Sequence, residues 1–70
     1  DRRSRSVAVL SSLIAHGHHE ELAMHLRAAI RNGLTIDEIR EVILQSAIYS
    51  GVPAANTAFR IASEVFADHA

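Results

Sequence analysis

The chain has 70 residues, a formal net charge of −1 and no cysteine. This length allows one small domain, and a sequence without cysteine excludes disulfides, thiolate metal sites and thiol nucleophiles. Hydrophobic residues make up 49% of the sequence but aromatic residues only 4%. Because such a composition provides little apolar volume for the core of a single subunit, we expect a homo-oligomer. All seven basic residues are arginine, so no lysine can form a Schiff base with a carbonyl substrate or with pyridoxal phosphate.

The charge pattern also bears on partners and on location. A net charge of −1 gives no general attraction to phosphate backbones or anionic lipid, so we expect neither nucleic acid nor a membrane as partner. Apolar runs such as VAVL are too short to cross a bilayer, and the basic start DRRSR is not followed by the apolar run of a signal peptide. We therefore expect a cytoplasmic protein. Because the first residue is Asp1 and not methionine, we also expect a piece of a longer chain.

Three glycines, Gly17, Gly33 and Gly51, divide the chain into four segments with helical periodicity. In the first segment Ser4 is a candidate N-cap, and Gly33 suits the C′ position of the second. The apolar stripes of these two segments are Val7, Leu10, Leu13 and Ile14, then Leu22, Leu26, Ala29 and Ile30.

The third segment has the clearest local signal, the stretch LTIDEI. Thr35 and Glu38 have the spacing of a capping box, and Leu34 and Ile39 that of a hydrophobic staple. Pro53 suits the first turn of a fourth helix, where its missing N–H costs nothing. The apolar stripes of these segments are Ile36, Ile39, Val42, Ile43 and Ala47, then Ala58, Ile61, Ala62 and Val65, with Phe59 and Phe66 beside the last. The sequence therefore predicts an all-α domain of four helices.

The second segment, GHHEELAMHLRAAI, concentrates the ionisable side chains. At about 100° per residue, His18, Glu21 and His25 border one edge of the apolar stripe, where a cleft between packed helices would have its lining. Glu21 and His25 are four residues apart, so the carboxylate can hydrogen-bond the imidazole and form a proton-transfer unit with it. The same spacing is also common on a solvated helix face, and this alternative stays open.

The same part of the sequence also has features of a metal site and of a DNA-binding helix-turn-helix. His18, Glu21 and His25 could offer three ligands to a metal, but the spacing is not HExxH and no fourth ligand is evident, so we expect no metal. Ala29 and Gly33 fit the spacing of a helix-turn-helix, yet its recognition helix would begin TIDEIREVI. Three acidic residues against one arginine have the wrong sign for a groove lined by phosphates, which excludes DNA binding.

The stretches EELAMHLRAAIRNGLT, IREVILQSAIYSGVPAAN and RSRSV resemble the 4-carboxymuconolactone decarboxylase family, which belongs to the alkylhydroperoxidase D-like superfamily. The resemblance implies the four-helix core of that fold over residues 1–70, as the C-terminal part of a longer chain, in a trimer or hexamer. The peroxidase branch of the superfamily has two cysteines, which correspond here to His18 and Glu21, followed by a histidine at His25. Without these thiols the chain lacks the peroxidase chemistry, which favours the decarboxylase branch.

The activity that the resemblance implies is decarboxylation of 4-carboxymuconolactone to 3-oxoadipate enol-lactone, in the β-ketoadipate pathway of aromatic catabolism, without a cofactor. His25 would deliver a proton or polarise the lactone carbonyl, Glu21 would orient His25, and His18 would line the pocket. The candidates for binding the substrate carboxylates are Arg5 and Arg27.

Each of these assignments has a structural alternative. Arg27 projects away from the His25 face and suits an ion pair with Glu20 or Glu21, and Arg5 suits a solvated terminal charge. Tyr49 suits half-buried packing more than hydrogen bonding to a substrate. For the chain as a whole, the alternative is a non-catalytic helical oligomerisation module of the same fold.

Overall fold

The computed structural model describes residues 1–69, which form four α-helices joined by short turns. These residues contain no β-strand, so the all-α prediction is confirmed. In the same residues, no helix has both the length and the hydrophobicity needed to span a bilayer. The helices are α1 (Arg2–His16), α2 (His19–Arg31), α3 (Ile36–Ser50) and α4 (Val52–Ala67).

The helices pack as two αα-hairpins, α1 with α2 and α3 with α4, laid side by side. Helix α1 also packs on α3, and α2 on α4, so the order around the bundle is α1, α2, α4, α3. The bundle measures 27 × 26 × 20 Å. Each helix thus has one inward stripe, two seams with its neighbours and one outer face.

The core consists largely of the stripes that the sequence predicts. Leu26, Ala29, Ile39 and Ala62 are completely buried at its centre. Val7 was expected in the stripe of α1 but is exposed, because it lies at the seam with α3, where a groove separates the two helices. The other buried apolar residues are Leu10, Ile14, Leu22, Leu34, Ile43, Ala55, Ala58, Ile61 and Val65.

Helix α1 begins one turn earlier than the sequence suggests. Its N-cap is Asp1, whose Oδ1 accepts a hydrogen bond from the backbone N–H of Ser4 at 2.7 Å. The prediction that Ser4 caps the helix is therefore wrong. An aspartate satisfies the free N–H groups of the first turn as well as a serine does, and its charge also favours the helix start.

The first two helices end in the same way, at Gly17 and Gly33, with φ of 69° and 98°. In both turns the N–H of the next residue donates to the carbonyl five residues before it at 3.0 Å, which is the Schellman arrangement. These bonds join His18 to Leu13 and Leu34 to Ala29. Since L-residues rarely adopt this backbone conformation, glycine at both positions allows the tight reversals between helices.

The predicted capping box of α3 is confirmed. The Thr35 hydroxyl accepts from the Glu38 N–H at 3.0 Å, and the Glu38 carboxylate accepts from the Thr35 N–H at 2.9 Å. Leu34 and Ile39, the predicted staple, are both buried in the core. Pro53 lies in the first turn of α4, as predicted.

Arg3 ties this capping box to the start of α1, a contact that the sequence analysis missed. Its guanidinium donates to the carbonyl of Gly33 at 2.8 Å and forms an ion pair with the second carboxylate oxygen of Glu38. One side chain thus holds together the first turn of α1, the end of α2 and the first turn of α3.

We predict that Glu38→Gln destabilises the protein at neutral pH and not at acidic pH. The N–H of Thr35 and the guanidinium of Arg3 hold the pKa of Glu38 below its usual value. A carboxyl whose pKa is lower in the folded state stabilises the fold above its unfolded pKa of about 4.3, and this contribution disappears as the pH falls through the folded pKa. Urea denaturation followed by circular dichroism, at pH values from about 7 to about 3, measures the difference from wild type.

Glu41→Gln is the matched control, because the carboxylate of Glu41 lies on the same helix and makes no hydrogen bond or ion pair within residues 1–69. It is expected to change the free energy of unfolding much less at neutral pH. A loss for Glu38→Gln that is equally large at both ends of the pH range would contradict the prediction.

Candidate functional site

Helix α2 and its N-cap residue carry three of the predicted site residues along the edge that faces α1. Asn32, two turns after His25, marks this edge: its Nδ2 donates to the hydroxyl of Ser6 on α1 at 3.1 Å. His25 is half-buried, while Glu21 and His18 are exposed at the start of the helix. His25 therefore lies in the α1–α2 seam, neither in the core nor fully in solvent.

Glu21 contacts His18, and among residues 1–69 it makes no hydrogen bond or ion pair with His25. Its Oε2 lies 3.5 Å from Nδ1 of His18. His18 is the N-cap residue of α2, so its ring can fold back over the first turn to meet a carboxylate three residues on. The structure thus brings together two of the three residues, and leaves His25 one turn beyond them.

A further histidine, missed as a site residue by the sequence analysis, joins this end of the seam. The rings of His16 and His18 are 5.7 Å apart between centroids, tilted by 43°. His16 is held at the last turn of α1, where its Nδ1 lies 2.8 Å from the carbonyl oxygen of Ser12. The spacing of His16 and His18 across the glycine turn is the sequence signal for this pair, since a Schellman turn returns the chain alongside the helix it has just left.

The two predicted arginines lie elsewhere. Arg27 pairs with Asp68, its Nη2 being 3.3 Å from Oδ2, so it lies on the α4 side of α2. The expected partners Glu20 and Glu21 are not the ones it contacts. Arg5 is exposed on α1 and forms no ion pair within the described residues. Neither arginine is brought to His25 by this fold.

The structure also gives the positions of Tyr49 and of the potential metal ligands. Tyr49 is largely exposed on α3, so the half-buried packing expected for it is not observed. In residues 1–69, no three side chains of the His, Cys, Asp or Glu types come close enough together to hold a metal ion. His18, Glu21 and His25 thus do not converge on one point in this conformation.

A cavity lies on the other side of α1, in the seam with α3. It is an open groove of about 510 Å³. The facing edges of the two helices carry small residues four apart, which cannot fill the space between the helix backbones. Its lining consists of Val7, Ser11 and Ala15 from α1 and Glu41, Val42, Gln45, Ser46, Tyr49 and Ser50 from α3.

The chemistry of this groove does not suit an anionic ligand. Within the described part of the chain, its lining includes the carboxylate of Glu41 and no arginine or histidine. The hydroxyls of Ser11 and Ser46 already donate to carbonyls of their own helices, at 2.8 and 2.7 Å. The carboxylate of Glu41 would repel a carboxylate ligand there, with little to offset this repulsion. The α1–α2 seam instead contains imidazoles, which can donate hydrogen bonds to an anion.

The chain is similar to known proteins over most of its length. A model of the carboxymuconolactone decarboxylase family matches residues 1–64. The chain is 48% identical over 67 residues to 4-carboxymuconolactone decarboxylase of Acinetobacter baylyi, covering 96% of this chain and 50% of that protein. It is 38% identical over 68 residues to nitrosuccinic acid decarboxylase npaB of Metarhizium robertsii, covering 97% and 48%.

A third relative is an uncharacterized 15.0 kDa protein of Paracoccus denitrificans, 33% identical over 70 residues, with 97% of this chain and 52% of that protein covered. Two of these three relatives are named as decarboxylases. The chain belongs to the carboxymuconolactone decarboxylase family. It spans about half the length of the curated relatives it matches.

We predict that Ala15→Leu stabilises the protein. Ala15 lines the groove, so a larger apolar side chain gains burial against α3 at little cost in helix propensity. The free energy of unfolding should rise by up to about 1 kcal/mol in urea denaturation. Ala8→Leu, at an exposed position of the same helix outside the groove, should give no gain. Equal effects of the two substitutions would contradict the view that the groove is unfilled space.

Proposed function

We propose that this chain catalyses the decarboxylation of 4-carboxymuconolactone to 3-oxoadipate enol-lactone, without a cofactor, in the β-ketoadipate pathway of aromatic catabolism. The observation that carries the proposal is the 48% identity, over nearly the whole chain, to the Acinetobacter baylyi decarboxylase. The enzyme is proposed to be cytoplasmic and to act as a homo-oligomer, a trimer or a hexamer.

The substrate supplies its own electron sink. One carboxylate sits on a ring carbon next to a carbon–carbon double bond that is conjugated with the lactone carbonyl. When the carbon–carbon bond to this carboxylate breaks, CO2 leaves and the electron pair of that bond stays on the ring. The pair moves through the double bond to the carbonyl oxygen of the lactone, which gives a dienolate. A proton added to the ring carbon beside the carbonyl then completes the enol-lactone. The protein has only to bind the anion, stabilise the dienolate oxygen and donate the proton.

The second decarboxylase among the relatives supports this scheme. Nitrosuccinic acid, named as the substrate of that relative, is also a dicarboxylic acid with an electron-withdrawing group. A nitro group can accept the electron pair left by CO2 much as the unsaturated lactone does. A shared active site then needs an acid and anion-binding groups, and no cofactor that stores electrons.

His25 is assigned the proton delivery. It is the imidazole in the middle of the α1–α2 seam, half-buried where helix packing limits access by water. An imidazole can exchange a proton near neutral pH, which suits both donation to carbon and recharging from solvent. His18, with Glu21 beside it at 3.5 Å, is assigned to the mouth of the seam, where it can donate a hydrogen bond to a carboxylate or enolate oxygen.

Arg5 and Arg27 are retained as the candidates for binding the second carboxylate. Both guanidinium groups lie at the surface of a single subunit, and Arg27 is paired with Asp68. They would therefore act on a substrate at a neighbouring subunit more readily than on one beside their own His25. This part of the proposal depends on the homo-oligomer.

We predict that His25→Gln lowers kcat by about 100-fold or more, the usual contribution of a general acid. CO2 release from 4-carboxymuconolactone measures the rate, and circular dichroism checks that the variant is folded. His19→Gln is the matched control, since His19 is an exposed histidine of the same helix to which the proposal gives no role. Wild-type turnover by folded His25→Gln would remove His25 from the mechanism.

A second measurement tests where the substrate binds. Ala15→Leu narrows the α1–α3 groove without touching the α1–α2 seam. We predict that KM and kcat stay at their wild-type values in this variant. A several-fold rise in KM would place the substrate in the groove. If the folded wild-type protein releases no CO2, the non-catalytic module becomes the better description of the chain.

A further inference from the structure

The turn between α1 and α2 brings two imidazole rings side by side. The ring centroids of His16 and His18 are 5.7 Å apart, and both side chains are exposed. The backbone between them is fixed, because Gly17 has a φ of 69° and the N–H of His18 donates to the carbonyl of Leu13 at 3.0 Å. We name His16 and His18 the turn pair. The Schellman turn thus sets the positions from which the two side chains extend.

In both rings of the turn pair, Nδ1 faces an oxygen that can only accept a hydrogen. Nδ1 of His16 lies 2.8 Å from the carbonyl oxygen of Ser12, and Nδ1 of His18 lies 3.5 Å from Oε2 of Glu21. Each contact therefore favours the neutral tautomer with its proton on Nδ1. The lone pair of each Nε2 is then free to bind a ligand.

These contacts are the ones that metal-binding histidines make. A histidine that binds a metal through one ring nitrogen almost always donates its other N–H to a backbone carbonyl, a carboxylate or water. His16 has the first kind of partner and His18 has the second. We propose that the turn pair binds a divalent late first-row transition-metal ion, Zn²⁺, Ni²⁺ or Cu²⁺, through its two Nε2 atoms.

The distance between the two rings suits one shared ion. A tetrahedral Zn²⁺ ion with bonds of about 2.0–2.1 Å to each Nε2 holds the two ring centroids roughly 5 Å apart. The separation in the turn pair is 5.7 Å, and exposed side chains can close the remaining gap by small rotations about their side-chain bonds. Imidazole nitrogens suit Zn²⁺, Ni²⁺ and Cu²⁺, whereas Mg²⁺ and Ca²⁺ take oxygen ligands.

Two protein ligands make an exchangeable site. Within residues 1–69 no three side chains of ligating types converge on one point, so water completes the coordination, and Glu21 supports His18 through Nδ1 without binding the ion. Structural zinc sites have four protein ligands and catalytic sites usually three. We therefore expect an ion that binds and leaves with its free concentration and links the end of α1 to the start of α2. The proposed decarboxylation does not require this ion, so binding and turnover measurements test the two proposals separately.

Isothermal titration calorimetry of the untagged protein with ZnCl₂, near neutral pH, measures the binding. The wild-type protein is expected to bind one Zn²⁺ per chain. His16→Gln and His18→Gln should each weaken binding by more than the ~10-fold that the loss of an outer-shell partner costs.

His69→Gln is the matched control for these two variants. Nδ1 of His69 also faces a backbone carbonyl, at 2.9 Å from the oxygen of Val65, but within the described residues its ring is not paired with a second imidazole. This variant should keep the wild-type affinity. Failure of the wild-type protein to bind at millimolar Zn²⁺, or an equal loss of affinity in all three variants, would overturn the proposal.

The contact between Glu21 and His18 has its own test. Glu21→Gln is expected to lower the Zn²⁺ affinity by about 10-fold, the smaller end of the effect of outer-shell partners. Glu20→Gln is the matched control, because it removes the same charge from the neighbouring exposed position, and it should lower the affinity much less. Equal losses in the two variants would contradict the role given to Glu21.

Nitrogen-15 NMR of the histidine rings identifies the ligating atoms. In the metal-free protein, at a pH above about 7.5 where imidazoles are neutral, His16 and His18 should carry the proton on Nδ1. Zn²⁺ should then shift the Nε2 signals of these two rings and not that of His69. A proton on Nε2 of either ring in the metal-free protein, or Zn²⁺ binding at Nδ1, would overturn the proposal.

Sedimentation velocity with and without Zn²⁺ tests whether both ligands belong to one chain. The mass of the wild-type protein should not change when Zn²⁺ is added, because the turn pair provides both Nε2 atoms from a single turn. A Zn²⁺-dependent increase in mass that is lost in His16→Gln would place the two ligands on different copies and contradict the proposed site.

Discussion

The structure depends on the mutual burial of two αα-hairpins whose inner stripes are made of small and medium aliphatic residues. Alanines at the centre, such as Ala29, Ala58 and Ala62, let the helix backbones approach closely. With a core this narrow, much of each helix lies near the surface. Half-buried positions such as that of His25 arise from this geometry, because a four-helix bundle has seams and little interior. The histidine to which we assign the proton delivery is consequently at a seam.

The elements that the sequence predicted correctly are those decided within about one helical turn. The capping box of Thr35 and Glu38, the glycine reversals and the apolar stripes all follow from contacts between residues close in sequence. The N-cap of α1 was predicted wrongly even though it is a local feature. Both Asp1 and Ser4 suit the cap, and spacing alone does not rank them. The fold was predictable because the local signals agree with one another.

Contacts between distant residues were not predictable in this way. Arg3 reaches Glu38 across 35 residues, and Arg27 reaches Asp68 across 41. An arginine has several possible partners within reach of its long side chain, and only the packing of the helices selects one. The same applies to Glu21. Both His18 and His25 are at a helical spacing from it, and the turn at Gly17 places His18 beside it. Candidate site residues could thus be named from their residue types, while the pairing of their side chains needed coordinates.

The link between Arg3 and the turn before α3 has a consequence for how the chain folds. Each hairpin is made of contacts close in sequence, so each can form early and quickly. The contact of Arg3 with Glu38 joins the first hairpin to the second across 35 residues. We expect this contact to form in a late step, when the hairpins dock, so weakening it should speed unfolding while leaving the rate of refolding nearly unchanged.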